Sequence, residues 1–129
     1  LWAVALAQKF WPGTLTLVVK AAPTVPPEYV RSSDGTIALR LPDSNLVRAL
    51  ARRVGCPLAI TSANTHGAPS ATSGAGVEER IVAEADLTFD GGPAPIAIAS
   101  TIVGCTGEEP RILREGAIPT ADVMEVARG

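Results

Sequence analysis

The chain has 129 residues, and several residue types are scarce in it: aromatics make up 4%, and there are two cysteines and one histidine. Each scarcity excludes something. No segment approaches the roughly 18 consecutive apolar residues of a membrane-spanning helix. His66, Cys56 and Cys105 do not have the spacing of metal ligands, so a zinc site is excluded. Two such separated thiols are expected to be buried or free, in a reducing compartment, which points to the cytoplasm. The stretch Leu1 to Lys9 is apolar but short and lacks a basic leader, which argues against a signal peptide. The net charge of −2 gives no basic excess for whole-surface binding to nucleic acid, although the 11 Lys and Arg residues could still gather into a local groove. No Walker-type glycine-rich loop is present, no nucleophile stands with a base, and no acidic pair is spaced for catalysis. An enzyme built from such a sequence works by positioning reactants and by stabilising charge with arginine and backbone donors.

What is present suits one globular domain over residues 1–129, with 47% hydrophobic and 19% charged residues. Residues 2–10 read as a short helix that stops before the breaker Trp11-Pro12-Gly13. The β-branched, apolar run Thr14 to Lys20 reads as a buried strand, and a proline-rich loop leads to the turn Asp34-Gly35. Thr36 to Leu41 follows as a strand that can pair antiparallel with the first. Pro42-Asp43-Ser44 opens a helix with Leu46, Val47, Leu50 and Val54 on one face, and Gly55 closes it. Strands are expected over Pro57–Thr61, Asp86–Asp90, Ile96–Val103 and Arg111–Arg114, and helices over Val77–Ala85 and Ala121–Arg128. Strands and helices that interleave this irregularly predict an α/β fold, a twisted mixed sheet with helices packed on it.

The segment with the most chemistry is Thr61-Ser62-Ala63-Asn64, followed by Thr65-His66-Gly67. An apolar run that ends in hydroxyls and a carboxamide is a common way to build a ligand site, because main-chain N–H groups at the turn meet an anion while the side chains orient it. An ordinary Asn/Ser turn accounts for the same residues. Ser100-Thr101 interrupts another apolar run, and Arg114 closes Ile112-Leu113. Arg40 interrupts the run Ile37 to Leu41, where strict alternation would also let it face solvent. Taken singly, Arg114 reads as a surface residue and His66 as a loop residue without a role.

Taken in order, the segments resemble a known family. Phe10 to Val18, FWPGTLTLV, resembles the FWPGPLTLVL segment of the YrdC/Sua5 family, the threonylcarbamoyl-AMP synthases. Thr36 to Asp43 resembles its VAVRxPD, TSAN with Gly67 and Pro69 resembles TSANxSGxP, Ser100 to Val103 resembles STVVD, and Ile112 to Ile118 resembles ILRxGAI. The matches cover nearly the whole chain, and each is weak alone while the ordered set is specific.

The resemblance implies an open α/β fold with a concave ligand cavity. It also implies formation of threonylcarbamoyl-AMP and pyrophosphate from L-threonine, bicarbonate and ATP. Magnesium is expected with the triphosphate, and a partner enzyme would pass the product to tRNA, which this chain could also touch directly. Matched by motif, Thr36, Asn64, Thr72 and Arg114 would contact the nucleotide, and Arg40, Ser62 and Ser100 would hold threonine. The chain departs from the pattern at Thr14 (usually Pro), His66 (usually Ser) and Gly104 (usually Asp). The family's upstream PTET-like strand and Lys-x-Arg motif are absent, and the chain opens on Leu1 in place of Met, so a fragment with little activity of its own is expected. A non-catalytic nucleotide- or RNA-binding module of the same fold, or the YrdC-like part of a hydrogenase-maturation carbamoyltransferase, stays open. TSAN, without a glycine in that motif, leans toward the tRNA enzyme.

Overall fold

The computed structural model describes residues 1–95 and 98–129. The chain divides into two compact units, residues 1–58 with 98–129, and residues 59–97.

In the first unit, helix α1 (Trp2–Phe10) is built from good helix formers and ends at Trp11, whose extended backbone suits a residue before proline. Gly13 then passes so near the helix end that a Cβ would lie 2.5 Å from the Phe10 carbonyl oxygen. Strands β1 (Leu15–Lys20), β2 (Thr36–Leu39), β3 (Thr101–Gly104) and β4 (Arg111–Arg114) form a sheet in the order β2-β1-β3-β4. Strand β1 runs antiparallel to β2, with Leu17 opposite Leu39 and Lys20 opposite Thr36. It runs parallel to β3, with Leu15 opposite Thr101 and Thr16 opposite Ile102. Strands β3 and β4 are antiparallel, and a register shift at Ile102/Val103 marks a bulge. The sheet is therefore mixed, as the sequence predicts.

Pleating sends alternate residues to opposite faces. Leu15, Leu17 and Val103 point to one face and form the core with Leu6 of α1, Ile118, and Val123 of helix α4 (Thr120–Arg128). Each such buried side chain contributes about 1.5–3 kcal/mol. The indoles pin the periphery: Trp11 Nε1 donates to Leu15 O and Trp2 Nε1 to Glu108 O, both at 2.8 Å. Thr16, Val18 and Lys20 point to the other face, away from α1 and α4.

Helix α2 (Asn45–Val54) starts where Ser44 Oγ accepts from Val47 N and stops at Gly55, whose φ of 81° suits glycine. None of its side chains is buried, and Leu46, Leu50 and Val54 stay exposed.

In the second unit, helix α3 (Glu79–Glu84) is shorter than the expected Val77–Ala85. The strands expected over Pro57–Thr61 and Asp86–Asp90 are not formed. A strand needs a ladder partner for its backbone, and neither segment has one among the described residues. Ile60, Leu87 and Phe89 accordingly remain about two-thirds exposed. The expected strand Ile96–Val103 begins only at Thr101 and ends at Gly104, and the Ile96 and Ala97 part of that expectation lies outside the described residues. Strand β2 ends at Leu39 rather than Leu41, because the Arg40 side chain and the Leu41 carbonyl turn to Gly13 instead. No helix among the described residues is long and apolar enough to cross a membrane.

Candidate functional site

Four of the residues singled out by motif belong to the first unit, and the pleat puts all four on the sheet face opposite α1 and α4. Arg40 follows β2, and the register carried one step beyond Leu39 sets it opposite Thr16. Its Nε donates to Gly13 O at 2.9 Å. That bond fixes the plane of the guanidinium and leaves both Nη nitrogens without a partner among the described residues, a fork suited to a carboxylate.

Ser100 precedes β3 on the other side of β1. It is buried, and its Oγ lies 2.8 Å from Thr16 Oγ1. Arg114, the last residue of β4, lies over it. Nε and Nη2 of Arg114 donate to Ser100 O at 3.1 and 2.8 Å, and Nη2 also reaches Ser100 Oγ at 3.3 Å. Arg40, Ser100 and Arg114 thus gather at one end of one sheet face, with Thr16 between them. Thr36 is on the same face but opposite Lys20, about 13 Å away along β1. Its hydroxyl donates to Asp34 Oδ1 at 2.6 Å, and that bond, ahead of a backbone bond and Arg31, holds the Asp34 carboxyl below its ordinary pKa. Thr36 borders a cavity of about 600 Å³ shared with Val18, Gly104, Arg111 and Leu113.

The end of the sheet that carries Ser100 is held by its neighbour Thr101, to which the sequence assigns no role of its own. Thr101 is fully buried, and its Oγ1 donates to Ile118 O at 2.7 Å while accepting from Gly116 N at 2.9 Å and Ile118 N at 3.0 Å. Gly116 crosses so close to Ala99 and Ser100 that a Cβ would collide with their backbone. The segment Gly116-Ala117-Ile118 is therefore latched to the start of β3. The signal available in the sequence is the pair of hydroxyls, Ser100-Thr101, that interrupts an apolar run.

Ser62, Asn64 and Thr72 belong to the second unit. Asn64 Nδ2 donates to Thr65 O at 3.0 Å and Ala68 O at 2.9 Å, which shapes the loop, while its Oδ1 is buried with no partner among the described residues. Glu78 accepts from Thr65 N and Oγ1 at 2.9 and 2.6 Å. The Thr65 side-chain bond, then its backbone bond, hold the Glu78 carboxyl below the ordinary glutamate range. Thr72 is exposed and its carbonyl accepts from Ala94 N at 2.6 Å, and Ser62 is exposed. His66 is exposed as well. Among the described residues no three His, Cys, Asp or Glu side chains gather as a metal cage.

Comparison with known proteins gives a consistent result. A family model for Sua5, YciO and YrdC, described as telomere recombination, matches residues 2–116. Threonylcarbamoyl-AMP synthase of Bacillus subtilis is 36% identical over 124 residues, 96% of this chain and 36% of that protein. Pyrococcus abyssi Sua5, solved with L-threonine, superposes with a TM-score of 0.85 at 35% identity, over 96% of this chain and 36% of that one. Escherichia coli YciO superposes at 0.82 with 23% identity, over 94% of this chain and 58% of that one, a likeness of fold. The chain thus spans about a third of the length of the Bacillus and Pyrococcus proteins.

Proposed function

The chain belongs to the Sua5/YciO/YrdC family, and from that premise we propose that it carries the threonine- and ATP-binding chemistry of a threonylcarbamoyl-AMP synthase. The observation that carries this reading is the gathering of Arg40, Ser100 and Arg114 at one end of a single sheet face. L-threonine, with which Pyrococcus Sua5 is complexed, has the groups this face would recognise. The free Nη nitrogens of Arg40 take the carboxylate as a bidentate pair, and Ser100 adds a directional hydroxyl. Arg114, with Nη1 still free among the described residues, meets phosphate oxygen.

In the proposed reaction the threonine amine adds bicarbonate with loss of water to give a carbamate. A carbamate oxygen then attacks the α-phosphorus of ATP, forming the P–O bond of the mixed anhydride as the bond to the departing pyrophosphate breaks. The arginines act by holding the two reactants in line and by offsetting charge on the phosphates. Magnesium would accompany ATP, bound mostly by phosphate oxygens and water, and would offset charge on the phosphates. The product is handed to a tRNA-modifying transferase in the cytoplasm.

The test is calorimetric titration of the chain with L-threonine and with ATP, followed by pyrophosphate release in the presence of bicarbonate. Saturable binding of both, with threonine binding weakened by Arg40→Ala, is the expected result. Failure to bind either would refute the reading.

A further inference from the structure

We propose that Thr16 is a positioning residue for threonine capture, through the proton of Ser100. The inference rests on the reading of Ser100 just given. Thr16 lies on the open sheet face, between Arg40 on the β2 side and Ser100 on the β3 side. It is half-buried and outside the core cluster. Its Oγ1 has one hydrogen-bond partner among the described residues, Ser100 Oγ at 2.8 Å.

Either hydroxyl can donate in that contact, and the proposal takes Thr16 as the donor. Ser100 Oγ has one proton and two lone pairs. Arg114 Nη2 can only donate, so its approach at 3.3 Å occupies one lone pair. In the proposed arrangement the second lone pair of Ser100 receives the Thr16 proton. With both lone pairs taken, the Ser100 hydroxyl keeps its proton for an outside acceptor. The acceptor on offer is an anionic oxygen, such as the threonine carboxylate that Arg40 would grip from the other side of β1. Without the Thr16 hydroxyl, the buried Ser100 proton is free to rotate, and the site loses a pre-aimed donor.

Thr16→Val keeps the β-branched shape a strand favours and removes only the hydroxyl. Thr16→Ser keeps the hydroxyl. Ser100→Ala tests the underlying site. Titration calorimetry of the full chain with L-threonine and separately with ATP reads all three, beside thermal melting. Thr16→Val is expected to weaken L-threonine binding about fivefold, as for loss of one hydrogen bond. ATP affinity should stay within about twofold, and Thr16→Ser should restore threonine affinity. Parent-like threonine affinity in Thr16→Val, alongside a loss in Ser100→Ala, overturns the role of Thr16 and leaves the site standing. A fall in both affinities and in melting temperature that Thr16→Ser does not rescue also overturns it, since Thr16 would then be structural. Parent-like affinity in Ser100→Ala, or no threonine binding by the parent chain, overturns the reading of the site and this inference with it.

Discussion

Arg114 holds Ser100 by its backbone: Nε and Nη2 both donate to the Ser100 carbonyl oxygen, at 3.1 and 2.8 Å. The bulge between β3 and β4 sits beside this contact, at Ile102/Val103. A side chain that reads from the sequence as a surface charge is thus fixed in direction by the strand next to it. Arg128, in the last turn of α4, is exposed and makes no ion pair among the described residues.

Arg114→Ala should therefore weaken ATP binding far more than Arg128→Ala. A hydrogen bond to a charged group is worth about 1.5–3 kcal/mol, or about tenfold or more in Kd, against near zero for an exposed terminal charge. Calorimetric titration of both variants with ATP reads the difference. Equal affinities would remove Arg114 from the nucleotide site.

Thr101→Val should cost stability out of proportion to the atoms changed. The substitution preserves volume but strips partners from Ile118 O, Gly116 N and Ile118 N around a fully buried position. Unpaired buried groups cost about 1–3 kcal/mol each, so a loss of about 3 kcal/mol or more is expected by urea denaturation. Thr101→Ser should lose much less. A Thr101→Val chain as stable as the parent would show that the latch is not closed in solution.

Much of this arrangement was legible in the sequence. The first unit's elements were, because their periodicity and their breakers agree: TLTLVVK is β-branched, Trp11-Pro12-Gly13 ends α1, and Ser44 and Gly55 bracket α2. The strands expected over Pro57–Thr61 and Asp86–Asp90 were misread for one physical reason. Apolar runs such as Pro57–Thr61 and Leu87 to Phe89 say that a segment would gain by pairing, and nothing in them says whether a partner strand is there. The candidate site was legible at Arg40, Ser100 and Arg114 only through ordered motif resemblance, since each looks ordinary alone. Thr16 has no role in the sequence reading and Thr101 is named there only beside Ser100, because a threonine in a strand is favoured for its shape and only register reveals what its hydroxyl touches.

Acid should loosen the loop around Asn64. The folded-state pKa of Glu78 is lowered, first by the Thr65 hydroxyl and then by its N–H. A carboxyl depressed in the folded state contributes stability that is complete above its ordinary value of 4.5 and fades as the pH falls through the depressed one. Thr65→Val should raise the Glu78 pKa toward that ordinary value. An NMR pH titration of the side-chain carbonyl checks it, and an unmoved midpoint would show that the hydroxyl does not bond there.

The two thiols should differ in reactivity. Cys56 is exposed, whereas Cys105 is partly covered beside the core and burial pushes its thiol from 9.0 to about 11. The thiolate is the reactive form, so Cys105 should alkylate at least about tenfold more slowly than Cys56 at pH 8. Timed iodoacetamide labelling followed by peptide mass spectrometry reads both sites in one sample. Equal rates would mean that the region around Val103 and Cys105 opens readily.

Arg40→Lys should behave more like Arg40→Ala than like the parent in threonine binding. Arg40 uses Nε to grip Gly13 O at 2.9 Å, and this anchor leaves the two Nη nitrogens as a planar pair. A lysine keeps the charge but has a single nitrogen, which can satisfy Gly13 O or a carboxylate with its three donors but cannot present a fixed fork to the ligand. Loss of one charged hydrogen bond and of its alignment should raise the threonine Kd about tenfold or more, with ATP affinity little changed. Calorimetry on Arg40→Lys, Arg40→Ala and the parent separates the possibilities. Full retention of affinity by the lysine variant would mean that only charge is read at this position, and the bidentate geometry assigned to Arg40 would be wrong. Retention by both variants would take Arg40 out of the threonine site altogether and leave it as the strap between β2 and the Gly13 turn.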